Sequence, residues 1–113
     1  MHELSITESI LSIVLENARK AQADRVTRVS LTMGKLSGVV GDSVRFYFEM
    51  LSKGTLAEGA ILSIEEPPAR LQCRSCSSVF VPEDFDWACP DCHGHGMEIV
   101  SGRECSVDSI EVE

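Results

Sequence analysis

The sequence predicts an α+β fold: two helices over a three-stranded mixed sheet, with a small four-cysteine ribbon inserted between two of the strands. Three observations predict it. Apolar residues recur at helical spacing in two separate stretches, 5–21 and 42–52. Three further stretches, 26–33, 60–66 and 104–113, are strand-like, the first by strict alternation. Between the second and third of these lie Cys73-x-x-Cys76 and Cys89-x-x-Cys92, twelve residues apart. Two such knuckles can bring four thiolates to one tetrahedral centre, the arrangement Zn²⁺ takes in a closed structural site.

The first helix is expected from Ser5 to about Ala21. Ser5 and Glu8 form an S-x-x-E capping box, and Ile6, Ile10, Ile13, Val14 and Ala18 fall on one face. Met1–Leu4 is expected to be extended. In 26–33, Val29, Leu31 and Met33 point one way and Arg28, Ser30 and Thr32 the other. Gly34-Lys-Leu-Ser-Gly38 is a turn-rich break. Asp42 or Ser43 can cap the second helix, whose apolar stripe is Val44, Tyr47, Phe48 and Leu51, with Gly54 just past its end. This stripe reads as core.

Pro67-Pro68 stops the strand over 60–66 and marks a boundary. A division follows into residues 1–68 plus 103–113, and an inserted unit of residues 69–102. A unit that small needs a staple, which the cysteines supply. Val79, Phe80, Val81, Phe85 and Trp87, between the knuckles, are expected to cap the metal site. In the last strand Ile110 and Val112 share a phase that Val107 does not, which a bulge near Asp108 would reconcile. This strand has little to pair with inside a ribbon and is expected to return to the first sheet, which would make the cysteine unit an insertion between two adjacent strands. Cys105, the odd cysteine, is expected to be a small buried apolar residue.

Composition narrows the function classes. The chain has 113 residues, 43% of them hydrophobic and 25% charged, with a formal net charge of −8. Those proportions are ordinary for a soluble domain. Around the cysteines, residues 70–105 carry three basic side chains against six acidic ones. A basic stripe for nucleic acid is missing, so proteins or cations are the expected partners. No apolar run approaches a membrane span, and MHELSITESI lacks the pattern of a signal peptide. The cysteines are accordingly read as reduced and cytoplasmic.

Four thiolates close a coordination sphere, so Zn²⁺ held there cannot activate water; catalysis is not expected. An iron centre of the rubredoxin kind competes for the same ligands, since Cys-Pro-x-Cys also suits iron. A zinc-ribbon adaptor is a further alternative. His93 and His95, in the turn His93-Gly-His-Gly96, are solvated or, for His93 above all, a second-shell or exchange ligand. His2 offers a different chemistry. Its imidazole, its own backbone nitrogen and the amine of Met1 can reach one ion together, and Ni²⁺ and Cu²⁺ favour such nitrogen sets. Glu3 could complete the set through its amide nitrogen or its carboxylate. The plain alternative is a solvated histidine.

Met1-His-Glu-Leu-Ser5, Arg25-Val-Thr-Arg-Val29, Met33-Gly-Lys-Leu-Ser37, Val44-Arg-Phe-Tyr-Phe-Glu49, Glu58-Gly59, the paired knuckles ending Cys89-Pro-Asp-Cys-His-Gly94, and Ser109-Ile-Glu-Val-Glu113 appear in order along the whole chain. In these segments the sequence resembles the HypA/HybF family of nickel metallochaperones, which serve [NiFe]-hydrogenase maturation and in some members urease. The resemblance implies Ni²⁺ around His2, with Met1 and Glu3 assisting, and structural Zn²⁺ on Cys73, Cys76, Cys89 and Cys92. It implies a HypB-type GTPase and the hydrogenase large subunit as partners, and a nickel domain with a zinc ribbon as fold. A homodimer is an assembly the sequence leaves open. Some members place a histidine after both knuckles. Here His93 follows the second but Ser77 follows the first, a departure from a two-histidine exchange switch.

Overall fold

The computed structural model describes residues 2–82 and 88–113, and for His2 the backbone alone. Helix α1 spans His2–Lys20 and leads directly into strand β1, Val26–Met33. Helix α2, Gly41–Leu51, carries the chain across to β2, Ile61–Glu65. That helical crossover is what lets β2 lie parallel to β1. Three short strands follow: β3 at Arg70–Cys73, β4 at Val79–Phe80 and β5 at Met97–Ser101. The last strand, β6 at Cys105–Val112, runs antiparallel to β1. Two three-stranded sheets result, a mixed one in the order β2-β1-β6 and an antiparallel one in the order β4-β3-β5. The cysteine segment is thus inserted between β2 and β6 in sequence. Those two strands flank β1 instead of lying side by side.

The core sits between the helices and the mixed sheet. Ile10, Val14 and Ala18 of α1, Val44 and Phe48 of α2, and Val26, Val29, Leu31, Met33 and Leu62 of the sheet form one buried cluster. The alternation in β1 is realised, with Val29, Leu31 and Met33 inward. Tyr47 and Leu51 of the α2 stripe are half-buried. In β6 the register shifts so that Ser109 pairs with Ser30 and Val107 with Leu31, leaving Asp108 as the extra residue. The bulge restores phase, and Val107 and Ile110 both pack on the core.

Several expectations are corrected. Residues 2–4 are helical, not extended, and Ser5 lies inside α1 instead of capping it. Glu3 and Leu4 are good helix formers, and an acidic residue suits the first turn. The Thr7 hydroxyl donates to the Glu3 carbonyl within that turn. Ile13 is exposed, while Thr7, on the same face as Ile10 and Val14, is fully buried. Helix α2 starts at Gly41 behind Val40, with no side-chain cap from Asp42 or Ser43. Cys105 is exposed; it opens β6 opposite Met33 and borders a surface groove with Ser5, Ile6 and Ser9 of α1. Of the residues expected to cap the cysteines, Val79 and Val81 are about half exposed, at 53% and 51%, and Phe80 is half-buried. Phe85 and Trp87 lie outside the described residues. No helix among the described residues is long and apolar enough to cross a membrane.

Candidate metal centres

The cysteine centre is built from two equivalent turns. In the first, Ser77 N–H donates to the Cys73 carbonyl at 2.8 Å, and Cys73 N–H to the Ser78 carbonyl at 2.9 Å. In the second, His93 N–H donates to the Cys89 carbonyl at 2.8 Å, and Cys89 N–H to the Gly94 carbonyl at 2.9 Å. Ser77 and His93 have φ of 63° and 62°. Each is left-handed without being glycine, a conformation costing roughly 1–2 kcal/mol. That reversal turns the chain back after the second cysteine, so that the Ser78 and Gly94 carbonyls accept from Cys73 and Cys89. A Cβ on Gly94 would stand 3.4 Å from the Cys92 sulfur and 4.0 Å from that of Cys73, so the second turn lies close against the cage.

The four sulfurs lie within 4.8 Å of one another. Across the turns, Cys73 Sγ is 3.4 Å from Cys92 Sγ, and Cys76 Sγ is 3.5 Å from Cys89 Sγ. Disulfides are much shorter, near 2.05 Å. A tetrahedral Zn–S distance of about 2.3 Å implies sulfur separations near ~3.8 Å, which the observed spread brackets. The donor set therefore fits a zinc ion. Cys73 and Cys89 are buried, while Cys76 and Cys92 are exposed.

Hydrogen bonds decide the protonation of the free thiols. The Cys76 backbone N–H is the main influence holding Cys73 below its ordinary value. The Ser78 hydroxyl and then the Ser78 N–H, with Cys89, bring Cys76 down to about 6. For Cys92 the Gly94 N–H pulls downward, but contacts with the Cys73 and Cys76 sulfurs, with desolvation, outweigh it and push the thiol up to about 12. Cys92 thus keeps its proton at neutral pH, and a divalent cation bound by its sulfur would release it. Asp91 N–H points at the Cys89 sulfur at 3.4 Å, as the Cys-Pro knuckle leads one to expect. The Ser78 hydroxyl donates to the Asp91 carboxylate, tying one knuckle to the other. Sequence reading missed this pair. Its signal is positional: each residue stands two places after a cysteine.

His93 and His95 are exposed and stand outside the sulfur cluster. Among the described residues no other group of three or more histidine, cysteine or carboxylate ligand atoms converges. Of the second candidate set, His2 is the first residue of α1 and Glu3 lies in its first turn, half-buried. Met1 lies outside the described residues.

The family described as "Hydrogenase/urease nickel incorporation, metallochaperone, hypA" matches residues 1–112. The chain belongs to the HypA family. Its similarity to HypA proteins is spread over full length. It is 43% identical over 113 residues to hydrogenase maturation factor HypA of Dehalococcoides mccartyi, covering all of this chain and 95% of that one. It is 44% identical to that of Geobacter metallireducens, covering each completely. The solution structure of the Ni metallochaperone HypA from Helicobacter pylori superposes with a TM-score of 0.67 at 31% identity, over 97% of this chain and 96% of that one. A second HypA solution structure reaches 0.74 at 31% identity, over 100% and 97%. This HypA-family chain therefore has the two helices, the mixed sheet and the four-cysteine cluster expected of it.

Proposed function

We propose that this chain carries Ni²⁺ to [NiFe]-hydrogenase during maturation, holding the ion at its N-terminus through His2, the Met1 amine and Glu3. Zn²⁺ sits on Cys73, Cys76, Cys89 and Cys92 as a structural ion. The family match over residues 1–112 carries this reading. Three physical points support it. A cargo site must release its ion, and a closed four-thiolate cage with two buried members is poorly suited to that. The start of α1 offers mixed nitrogen and oxygen donors instead, and helix-initial amides such as that of His2 are not consumed by the helix's own ladder. The net charge of −8 favours approach of cations.

In this reading residues 1–68 plus 103–113 form the nickel unit and residues 69–102 the zinc ribbon. A HypB-type GTPase and the hydrogenase large subunit are the partners, in the cytoplasm. The chain works as a carrier without catalysing a reaction, and His93 serves as an outer ligand of the cage. An added N-terminal segment tests the amine. Protein bearing extra residues before Met1 should bind Ni²⁺ more weakly or with a changed nickel absorption spectrum. An identical spectrum and affinity would remove the amine from the ligand set.

A further inference from the structure

The turn-rich segment after β1 takes part in neither metal centre, yet its backbone is closely engaged by distant parts of the chain. Three of its consecutive amides donate outward. Gly34 N–H reaches the Glu104 carbonyl at 2.7 Å, Lys35 N–H the Pro67 carbonyl at 3.1 Å, and Leu36 N–H the Gly102 carbonyl at 2.6 Å. Pro67 lies on the crossing from the mixed sheet to the cysteine sheet, between β2 and β3. Gly102 and Glu104 lie on the crossing back, between β5 and β6. One loop of the mixed sheet therefore grips both connections to the ribbon.

The grip leaves no room for side chains. A Cβ on Gly34 would fall 2.1 Å from the Gly102 carbonyl oxygen. One on Gly102 would fall 2.8 Å from the Ala69 Cα, and Gly102 has a φ of 116°, where other residues are strained. Ala69 is itself buried. Glu104 closes the arrangement, since both of its carboxylate oxygens accept the Gly102 N–H, at 3.0 and 3.1 Å. Without such contacts two single-chain crossings would make a hinge, each turning about soft φ and ψ.

We propose that residues 34–36, 67–69 and 102–104 form a clasp that locks the four-cysteine sheet in one orientation against the mixed sheet, with Gly34 and Gly102 as the residues that permit it. The clasp adjoins the Met33–Cys105 pair at the end of β1. Cys105 and Ser106 share a surface groove with Ser5, Ile6 and Ser9 of α1. The ribbon is thus held at the end of the sheet where α1 begins.

Amide ¹⁵N relaxation and hydrogen exchange on the metal-loaded full chain test this. In wild type, amides of β1 and of β3 and β5 share one tumbling time, and the Leu36 and Gly102 amides are protected. In Gly34→Ala and in Gly102→Ala the single tumbling time is lost, splitting in two, and protection at Leu36 disappears while metal content stays the same. Glu104→Ala adds no volume and decides the matter where an alanine variant fails to fold: it should lose Gly102 protection and split the tumbling times. Two tumbling times in wild type would overturn the proposal. So would one tumbling time retained in the glycine variants, or in Glu104→Ala where those do not fold.

Discussion

Asp108 occupies the β6 bulge, where the Thr32 hydroxyl and then the Ser106 hydroxyl donate to its carboxylate and hold its pKa below the usual range. A depressed folded pKa stabilises the native state above the unfolded value, near 3.9, and the contribution is lost as pH falls through the folded value. Wild type should therefore exceed Asp108→Asn in stability by a constant margin at neutral pH, and the margin should close on acidification below about 3.9. Urea unfolding at a series of pH values checks this; a margin unchanged into strong acid would show that the two hydroxyls do not select the carboxylate. The bulge itself was legible, because Val107 and Ile110 cannot share a face of a regular strand. The burial of Thr7 was not. A hydroxyl on an apolar face needs a local acceptor, and the Glu3 carbonyl that serves it exists only once the helix has extended by a turn. Nor could sequence place Cys105, whose position opposite Met33 beside an open groove along α1 is defined only by tertiary pairing.

At the scale of elements, long periodic segments read well and their ends did not. Helix α1 begins three residues before its capping box because the box is a weak local signal, typically about 1 kcal/mol, that continued helix can override. The strands around the cysteines are short: β4 has two residues, too few for any alternation to show. There the cysteine spacing carried the information, since the converging sulfurs and the two left-handed turns mark the site instead. The two sheets should accordingly fail separately. Leu31→Ala, at a site 1% exposed, should cost about 2–5 kcal/mol in urea unfolding and leave the bound zinc in place. Cys73→Ala should release zinc and loosen β3 to β5 while circular dichroism retains the signal of α1 and α2, whose core the metal does not touch. Complete loss of helix in Cys73→Ala would show that the mixed sheet depends on the cage. Metal analysis of wild type also separates zinc from iron, which would announce itself in visible thiolate-to-iron absorption.

Across the whole molecule, the strongest motif and the proposed cargo site are different places. The four cysteines close a cage whose geometry fits a resident ion, and the resemblance spread over the chain placed them in a fold that two HypA solution structures share. Sequence alone revealed the order of the helices and of the mixed sheet's strands, the return of the last strand to that sheet, and the insertion of the ribbon. It did not reveal that the loop at 34–36 binds both crossings, since hydrogen bonds between residues 34–36, 67 and 102–104 leave no periodic trace. The central claim is that nickel binds at the N-terminus and not in the cage. Calorimetric titration of Ni²⁺ into untagged, zinc-loaded wild type and His2→Ala tests it most directly. His2→Ala should lose the nickel heat seen in wild type while keeping its zinc; equal nickel affinity in the two proteins would contradict the assignment.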